Sequence, residues 1–339
     1  MNDAADVPQL ALVVEDWPKA FPATGCSARF KTIPEDFEVE EQSREVLSGE
    51  GEHVWVWVEK RGANTAWVAA QLAREAGIRE QDVGLAGIKD RHAVTRQWFS
   101  LYLPGQDTPD LTAIQNDEFT VLKQQRHQRK LRRGELEGNR FVIRLRDLHG
   151  DVNALKHNLE QLHTHGYPNY FGEQRFGHDG GNVQAGMAML TGKRRVKQRS
   201  KKSIYLSAVR SWLFNQVLAE RVRQGNWLNR LDGDPESTVS GPLWGRGRSL
   251  SESDTAALEH GVEQQCQAVC DALEHAGLSQ ERRALVVKAR DLHWQWLDNE
   301  DKGTDLILTF SLGAGYYATS LLRELLILEE PERKLAGET

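Results

Sequence analysis

A single carboxylate stands among cations in residues 84–100, which read GLAGIKDRHAVTRQWFS. Asp90 is flanked by Lys89 and Arg91, and Arg96 follows in the same segment. Nearby cations lower the pKa of a carboxyl group and keep it ionised. A lone carboxylate in a turn is usually a hydrogen-bonding turn residue. An ionised one among cations can instead act as nucleophile or base on a phosphate-bearing substrate, and the segment alone leaves both interpretations open.

The elements on either side of Asp90 predict that it lies on a turn held by a sheet. Residues 53–58, HVWVWV, alternate as a half-buried strand does. Asn64 is a suitable helix N-cap, and the apolar pattern behind it ends at Gly77. A second alternating run, 97–103, follows Asp90. Loops that a rigid sheet holds in place often carry function.

Other kinds of site have weaker support. The glycines of GLAGIKD are too closely spaced for a P-loop, and an acid follows the lysine where the P-loop has Ser or Thr. Cys266 and Cys270 have histidines nearby, but they share a helical stripe with apolar residues and are better interpreted as small core residues than as zinc ligands. No serine stands in a G-x-S-x-G elbow. We therefore expect no metal site.

The charge of the chain is segregated. The formal net charge of −6 alone argues against a nucleic-acid partner, because phosphate binding requires positive potential. Residues 121–146 are nevertheless rich in Lys and Arg, and residues 192–202, GKRRVKQRSKK, contain no acid. Most charge runs are solvated faces. Because aromatic residues lie close to the basic tracts, as in GNRFVI and PNYFGEQRFG, RNA is the favoured partner.

The bulk properties are those of an ordinary globular protein of two domains. Three cysteines are too few for a disulfide framework, which favours a reducing compartment. The first residues lack a basic leader, and no apolar run reaches the roughly 20 residues that a bilayer requires. We expect a cytoplasmic protein with no membrane partner.

Several segments together resemble the TruD family of tRNA pseudouridine synthases. GLAGIKDRHAVTRQWFS is similar to the family's catalytic segment, and further similar segments follow the family's order over most of the chain. They are PEDFEVEE, KRGANT, GNRF, NYFGEQRFG, SIYLSAVRSWLFN, GPLWG and SLGAGYYATSLLREL. Each segment alone is weak evidence, whereas the ordered set is specific.

The resemblance implies roles for particular residues. Asp90 would be the catalytic aspartate and Lys89 its neighbour in the motif. Asn139 and Phe141 of GNRF would line the site, with Phe141 stacking on the target uracil. Lys31 would contact the substrate. The acids of PEDFEVEE alternate with apolar residues, which predicts a strand with a charged outer face.

The family fold implied by the resemblance is α/β (α+β). It comprises a pseudouridine-synthase catalytic domain with a mixed sheet, and a large inserted α/β domain peculiar to the family. We expect the catalytic domain to span 1–165 and 305–339, and the inserted domain to span 166–304. RNA would lie in the cleft between them.

The reaction implied is the isomerisation of uridine to pseudouridine in tRNA, usually at uridine 13 of the D arm, as in glutamate tRNA. It would need no cofactor, no metal and no obligate protein partner, and a monomer would suffice. The residues do not decide whether Asp90 attacks C1′ or removes the 2′ proton. A non-catalytic RNA-binding or RNA-chaperone protein, in which the Asp90 loop is only a turn, would share the charge pattern and remains the alternative at this stage.

Overall fold

The computed structural model describes residues 17–235, 239–299 and 303–331 of the chain. These residues form two compact units. The sheet unit comprises 25–152, 289–315 and 326–331, and the helical unit comprises 17–24, 153–288 and 316–325. Among the described residues, no helix combines the length and the apolar character needed to cross a bilayer.

Strands and helices are numbered in chain order. The strands are β1 (Ser27–Arg29), β2 (Phe37–Gln42), β3 (His53–Arg61), β4 (Val83–Leu85), β5 (Val94–Tyr102), β6 (Phe119–His127), β7 (Gly138–His149), β8 (Tyr167–Pro168), β9 (Ser240–Leu243), β10 (Glu281–Ala284), β11 (Val286–Val287), β12 (Arg290–Asn299), β13 (Gly303–Gly313) and β14 (Ile327–Glu329). The helices are α1 (Thr65–Glu75), α2 (Val152–His165), α3 (Glu173–Phe176), α4 (Gly181–Leu190), α5 (Arg199–Arg223), α6 (Ser253–Gln265), α7 (Gln267–Glu274) and α8 (Ala318–Leu325).

The sheet unit is built on one mixed sheet. Its main path runs β12-β13-β7-β2-β5-β3-β6, while β4 pairs with β5, and β1 pairs with both β7 and β14. The β2·β5 and β1·β14 pairs are parallel, and the other pairs of this sheet are antiparallel. The expected α/β fold with a mixed sheet is confirmed.

The core of the sheet unit follows from strand alternation. In β3, Val54, Val56 and Val58 are fully buried and pack with Val68 and Leu72 of α1. The Asn64 side chain caps α1 by accepting from the backbone N–H two residues on. We call the sheet face that carries these valines the inner face. Lys60 has the same parity in β3 and therefore lies on this face.

The helical unit is organised around α5. Its apolar residues, including Trp212, Leu213 and Phe214, are buried against α3, α4, α6 and the strand β9. Gly186 of α4 lets the two helices approach closely, because a Cβ there would lie 2.5 Å from the side chain of Val209. The described part also contains two short two-stranded sheets, β9·β10 and β8·β11, and 3-10 helices at Pro34–Asp36, Glu80–Asp82 and His178–Gly180.

The two units do not have the expected domain limits. Helix α2 was expected within the catalytic domain, but all of it beyond Val152 belongs to the helical unit, where Asn158 donates to the carbonyl of Pro22. Strand β12 was expected within the inserted domain 166–304, but it forms a hairpin with β13 in the large sheet. The contact of Asn158 with Pro22 and the pairing of β13 with β7 join distant parts of the chain, so no local sequence signal marks these limits. The ends of the expected catalytic domain, 1–16 and 332–339, lie outside the described residues.

Candidate active site

The loop between β4 and β5 presents Asp90, as the flanking strand patterns predicted. One side chain of β5 and one side chain of α1 fasten this loop. The amide of Gln97 donates to the carbonyl of Gly87 at 3.0 Å, and the Thr65 hydroxyl accepts from the Lys89 N–H at 3.1 Å. The loop is therefore held at both its apex and its entry, which fixes the position of the carboxylate.

The Asp90 carboxylate is engaged through both oxygens. The Lys31 ammonium lies 2.5 Å from Oδ2, and the backbone N–H of His92 donates to Oδ1 at 2.9 Å. Burial alone would raise the pKa of Asp90, but the charge and hydrogen bond of Lys31 and the His92 N–H outweigh it, so the pKa is lowered. With 29% of its side chain exposed, Asp90 is an ionised group that a ligand can reach.

Lys31 reaches Asp90 from a backbone conformation that side-chain-bearing residues rarely adopt. Its φ is +54°, in the left-handed region, which costs a lysine about 1 kcal/mol or more. This conformation places the ammonium 4.4 Å from the ring centroid of Phe37 as well as beside the carboxylate. Local strain of this kind persists where the surrounding structure requires it, as at binding sites.

A second lysine, Lys60, contacts the loop from the inner face of the sheet. Lys60 of β3 is 1% exposed and donates from Nζ to the backbone carbonyl of Asp90 at 2.6 Å. Burial lowers its pKa to about 8, while the Asp90 charge opposes this effect. Lys60 thus places a positive charge next to Asp90 and anchors its main chain.

A buried ion pair lies beside the loop. Lys89 Nζ is 2.9 Å from Glu41 Oε2, and both side chains are buried. Glu41 lies directly opposite Asn139 in the β2·β7 ladder. The expectation of a charged outer face for PEDFEVEE is therefore wrong for Glu41, which shares the parity of the buried Phe37 and Val39 and not that of Glu38 and Glu40.

Strand β7 forms an apolar and amide-bearing wall. The Phe141 ring is buried and stacks on Phe310 of β13 at a centroid distance of 5.3 Å, and it lies 6.1 Å from Phe37. Asn139 is two residues away on the same strand face. Its Oδ1 is buried and has no hydrogen-bond partner among the described residues, which leaves one acceptor of the site unsatisfied.

All five predicted site residues belong to the sheet unit, and contacts link them. Lys31 contacts Asp90 directly and reaches Phe141 through Phe37, whereas Lys89 is connected to Asn139 through Glu41. The described residues thus place an ionised carboxylate, two lysines, an amide and an aromatic ring on one side of one sheet. This set can hold a planar, polar ring next to a carboxylate.

Three cations expected near the Asp90 carboxylate, Lys89, Arg91 and Arg96, do not contact it, and Lys89 pairs with Glu41 instead. Arg91 donates to the carbonyl of Gly62, and Arg96 pairs with Glu59 at 2.7 Å on the outer face of the sheet. The prediction that these three cations keep Asp90 ionised is wrong, because Lys89 and Arg91 bind other groups and strand alternation directs Arg96 away from the inner face. Lys31, from a different part of the chain, takes that role.

Three residues of the site were not identified from the sequence. Lys60 is the first residue of KRGANT. Its parity matches that of the valines in the preceding strand, and this could have indicated a lysine on the inner face. The parity of Phe37, Val39 and Glu41 would have indicated a buried acid. Phe37 was recognised as a strand residue, but its contact with the ammonium depends on the fold.

No group of His, Cys, Asp and Glu in the described part of the chain has an arrangement that could hold a metal ion. Cys266 and Cys270 are both buried free thiols, and burial raises the pKa of Cys266 to about 11. They pack in the core of the helical unit, as the helical stripe predicted.

The first basic tract, 121–146, contributes much of its charge to internal contacts. Arg144 and Arg146 pair with Asp305 and Asp36 at 2.6 and 2.7 Å. Arg126 donates to three backbone carbonyls and to the Thr108 hydroxyl, and Arg129 pairs with Glu45 and Glu135. These arginines stabilise the sheet unit and its loops.

Comparison with known proteins shows the family. The family model of tRNA pseudouridine synthase D (TruD) matches residues 20–200. The tRNA pseudouridine synthase D of Cellvibrio japonicus is 48% identical over 95% of this chain and 96% of its own length. The chain belongs to the TruD family. The family protein of Hydrogenovibrio crunogenus is 43% identical over 88% of this chain and 92% of its own. The expectation that the chain is an enzyme, a pseudouridine synthase and hence an isomerase, is confirmed.

A solved structure supports the fold. The crystal structure of a Methanosarcina mazei protein assigned to tRNA pseudouridine synthase D superposes with a TM-score of 0.73 over 91% of this chain and 95% of that one. The two sequences are 19% identical, so this likeness concerns the fold alone. The family fold is thus retained at low sequence identity.

Proposed function

We propose that this member of the TruD family isomerises uridine 13 in the D arm of tRNA, as in glutamate tRNA, with Asp90 as the catalytic carboxylate. The observation that carries the proposal is the ionised Asp90 held by Lys31 beside the Phe37–Phe141 ring pair. The lowered pKa keeps the Asp90 carboxyl group ionised at neutral pH, and the ionised form is the one that can act as a nucleophile or general base.

The reaction breaks the N1–C1′ glycosidic bond, turns the detached uracil and joins C5 to C1′. C5 then loses its proton while N1 gains one, so the atoms balance with no redox change and no second substrate. The carboxylate of Asp90 either attacks C1′ or removes the 2′ proton to give a glycal. Both routes need Asp90 charged and close to the sugar, which agrees with a loop that Lys60 and Gln97 fasten at the backbone.

The wall of β7 would receive the base. In the proposal, Phe141 stacks on the flipped uracil, and the partnerless Oδ1 of Asn139 accepts from its N3–H. Lys31 contacts both the substrate and the Asp90 carboxylate in this proposal. Lys89 remains a predicted substrate-binding residue, although its burial with Glu41 favours a role in holding the loop.

The sheet unit would be the catalytic domain, and the helical unit would correspond to the family's inserted domain. An isomerisation requires no redox or group-transfer cofactor. We propose a cytoplasmic, monomeric enzyme whose macromolecular partner is tRNA. Family membership disfavours the non-catalytic RNA-binding alternative.

The target is tested with a glutamate tRNA transcript tritiated at uracil C5. We expect the wild-type chain to release tritium from this transcript, because C5 loses its hydrogen when it bonds to C1′. A transcript in which uridine 13 is replaced by cytidine serves as the matched control and should release none. Equal release from both transcripts would contradict the choice of uridine 13, and release from neither would contradict the proposed substrate.

A further inference from the structure

The helical unit carries an exposed run of cations between α4 and α5. Every lysine and arginine from Lys193 to Lys202 is exposed, and the run contains no acid. In the part of the chain that the structure describes, no carboxylate pairs with Arg195, Arg199, Lys201 or Lys202. The first basic tract, by contrast, has several arginines in ion pairs. Two tracts that look alike in the sequence therefore differ in the structure.

Backbone hydrogen bonds fix the two ends of this run. The N–H of Arg194 donates to the carbonyl of Ala188 at 2.9 Å, and Gly192 turns the chain with a φ of +75°. The N–H of Lys202 donates to the carbonyl of Gln198 at 3.0 Å as α5 begins. Because the following turns of α5 are buried in the core, the cations are presented in a defined arrangement.

These cations do not favour the folding of the helix that carries them. The first turn of α5 contains basic residues and no acid, and Gln198 makes no side-chain capping hydrogen bond. Positive charge is unfavourable at the N-terminal end of a helix dipole, and neighbouring like charges repel. The arrangement is unfavourable for the protein alone, and an anionic partner would offset that cost.

The surroundings favour a nucleic acid over a small anion. The Arg194 guanidinium lies 5.7 Å from the ring centroid of Tyr205, and the adjacent Ile204 is 51% exposed. A row of cations beside an exposed apolar side chain and a half-buried aromatic ring suits a phosphate backbone with bases beside it. We infer that residues 193–202 form a contact surface for the tRNA phosphate backbone. The inference rests on the proposed function in taking tRNA as the substrate.

The test neutralises three cations of α5 in the full chain. The variant combines Arg199→Gln, Lys201→Gln and Lys202→Gln, and its binding to the unmodified glutamate tRNA transcript is measured over a series of salt concentrations. We expect affinity at low salt to fall at least about tenfold, and the slope of log K against log salt to decrease by about two to three. The thermal midpoint should stay unchanged or rise, which a structural role for these residues would not produce.

The matched control removes the same charge from exposed arginines that have carboxylate partners. It combines Arg44→Gln, Arg74→Gln and Arg79→Gln, whose partners are Glu137, Glu75 and Asp82. We expect its affinity and salt slope to stay close to those of the wild-type chain. Equal losses in both variants would overturn the inference, because they would reflect net charge alone.

Failure of this inference is distinguishable from failure of the proposed function. If the wild-type chain releases tritium and the α5 variant binds tRNA with unchanged affinity and slope, the surface does not bind RNA and docking of a protein becomes its remaining use. If the wild-type chain releases no tritium but the α5 variant selectively loses affinity, the proposed reaction fails and the RNA surface stands.

Discussion

The ionisation of Asp90 depends on its contact with Lys31. The two residues are far apart in the sequence, and their contact sets the pKa of the carboxylate. Since the pKa of Asp90 is lowered in the folded chain, its ion pair stabilises the fold above the pKa of an unfolded aspartate. That stabilisation is lost as the pH falls through the folded value.

Replacing Lys31 by Met is expected to move the acid limb of the kcat/KM profile to higher pH. Without the ammonium, burial of Asp90 is no longer outweighed, so the carboxylate takes up its proton earlier as the pH falls. The measurement is tritium release from tRNA over a range of pH. Lys31→Arg keeps the charge and should leave the limb closer to that of the wild-type chain; an unchanged limb in Lys31→Met would refute this role of Lys31.

The sequence selected candidate site residues, but it did not indicate which side chains contact them. Asp90, Lys31, Asn139 and Phe141 were selected from motifs that resemble the family. The cation that contacts Asp90 could not be chosen from sequence distance, because Arg96 is close in the chain but points to the outer face. Contacts across strands depend on register, which single segments do not contain.

At the scale of elements, the pairing of β7 with β13 positions the wall of the site. Gly138 begins β7, and a Cβ there would lie 2.1 Å from the carbonyl oxygen of Leu312. The neighbouring strand has no side chain that could move away, since the close atom is backbone. Asn139 and Phe141 follow directly, so their positions depend on this close approach.

Gly138→Ala is expected to destabilise the chain by about 1–3 kcal/mol and to lower kcat/KM, because the start of β7 must shift away from β13. Gly181→Ala is the matched control. It lies at the start of α4 with a φ of −56° and has open space around its Cβ position, so stability should be unchanged or slightly higher. Urea denaturation and tritium release measure the two effects, and a Gly138→Ala chain as stable and active as the wild type would show that the close approach is not required.

The elements with strong local signals were predictable. The valine alternation of β3, the Asn64 cap of α1 and the glycine at its end indicated a strand and a helix with their limits. The parity of β2 also held the information that Glu41 is buried, although the acidic composition of the segment favoured the opposite interpretation. Parity within a strand was therefore more informative than composition.

At the scale of the whole molecule, the chain crosses between the two units several times. The helical unit contains residues from the middle of the chain and from near both of its ends. Helix α8 is the contribution from near the C-terminal end. Boundaries placed at irregular segments could not reproduce this division, because the contacts that define it join residues far apart in sequence. The net charge of the chain is equally uninformative about local charge. It is −6, although residues 192–202 form an exposed cationic run.

The most direct measurement is tritium release from C5-labelled glutamate tRNA by the wild-type, Asp90→Asn and Asp82→Asn chains, with tRNA affinity measured for all three. Asp82 carries the same chemical group and precedes β4, but it pairs with Arg79 outside the site. We expect Asp90→Asn to lose at least about a thousandfold in rate with little change in affinity, and Asp82→Asn to remain active. Release by Asp90→Asn at the wild-type rate would contradict the assignment of Asp90 as the catalytic carboxylate.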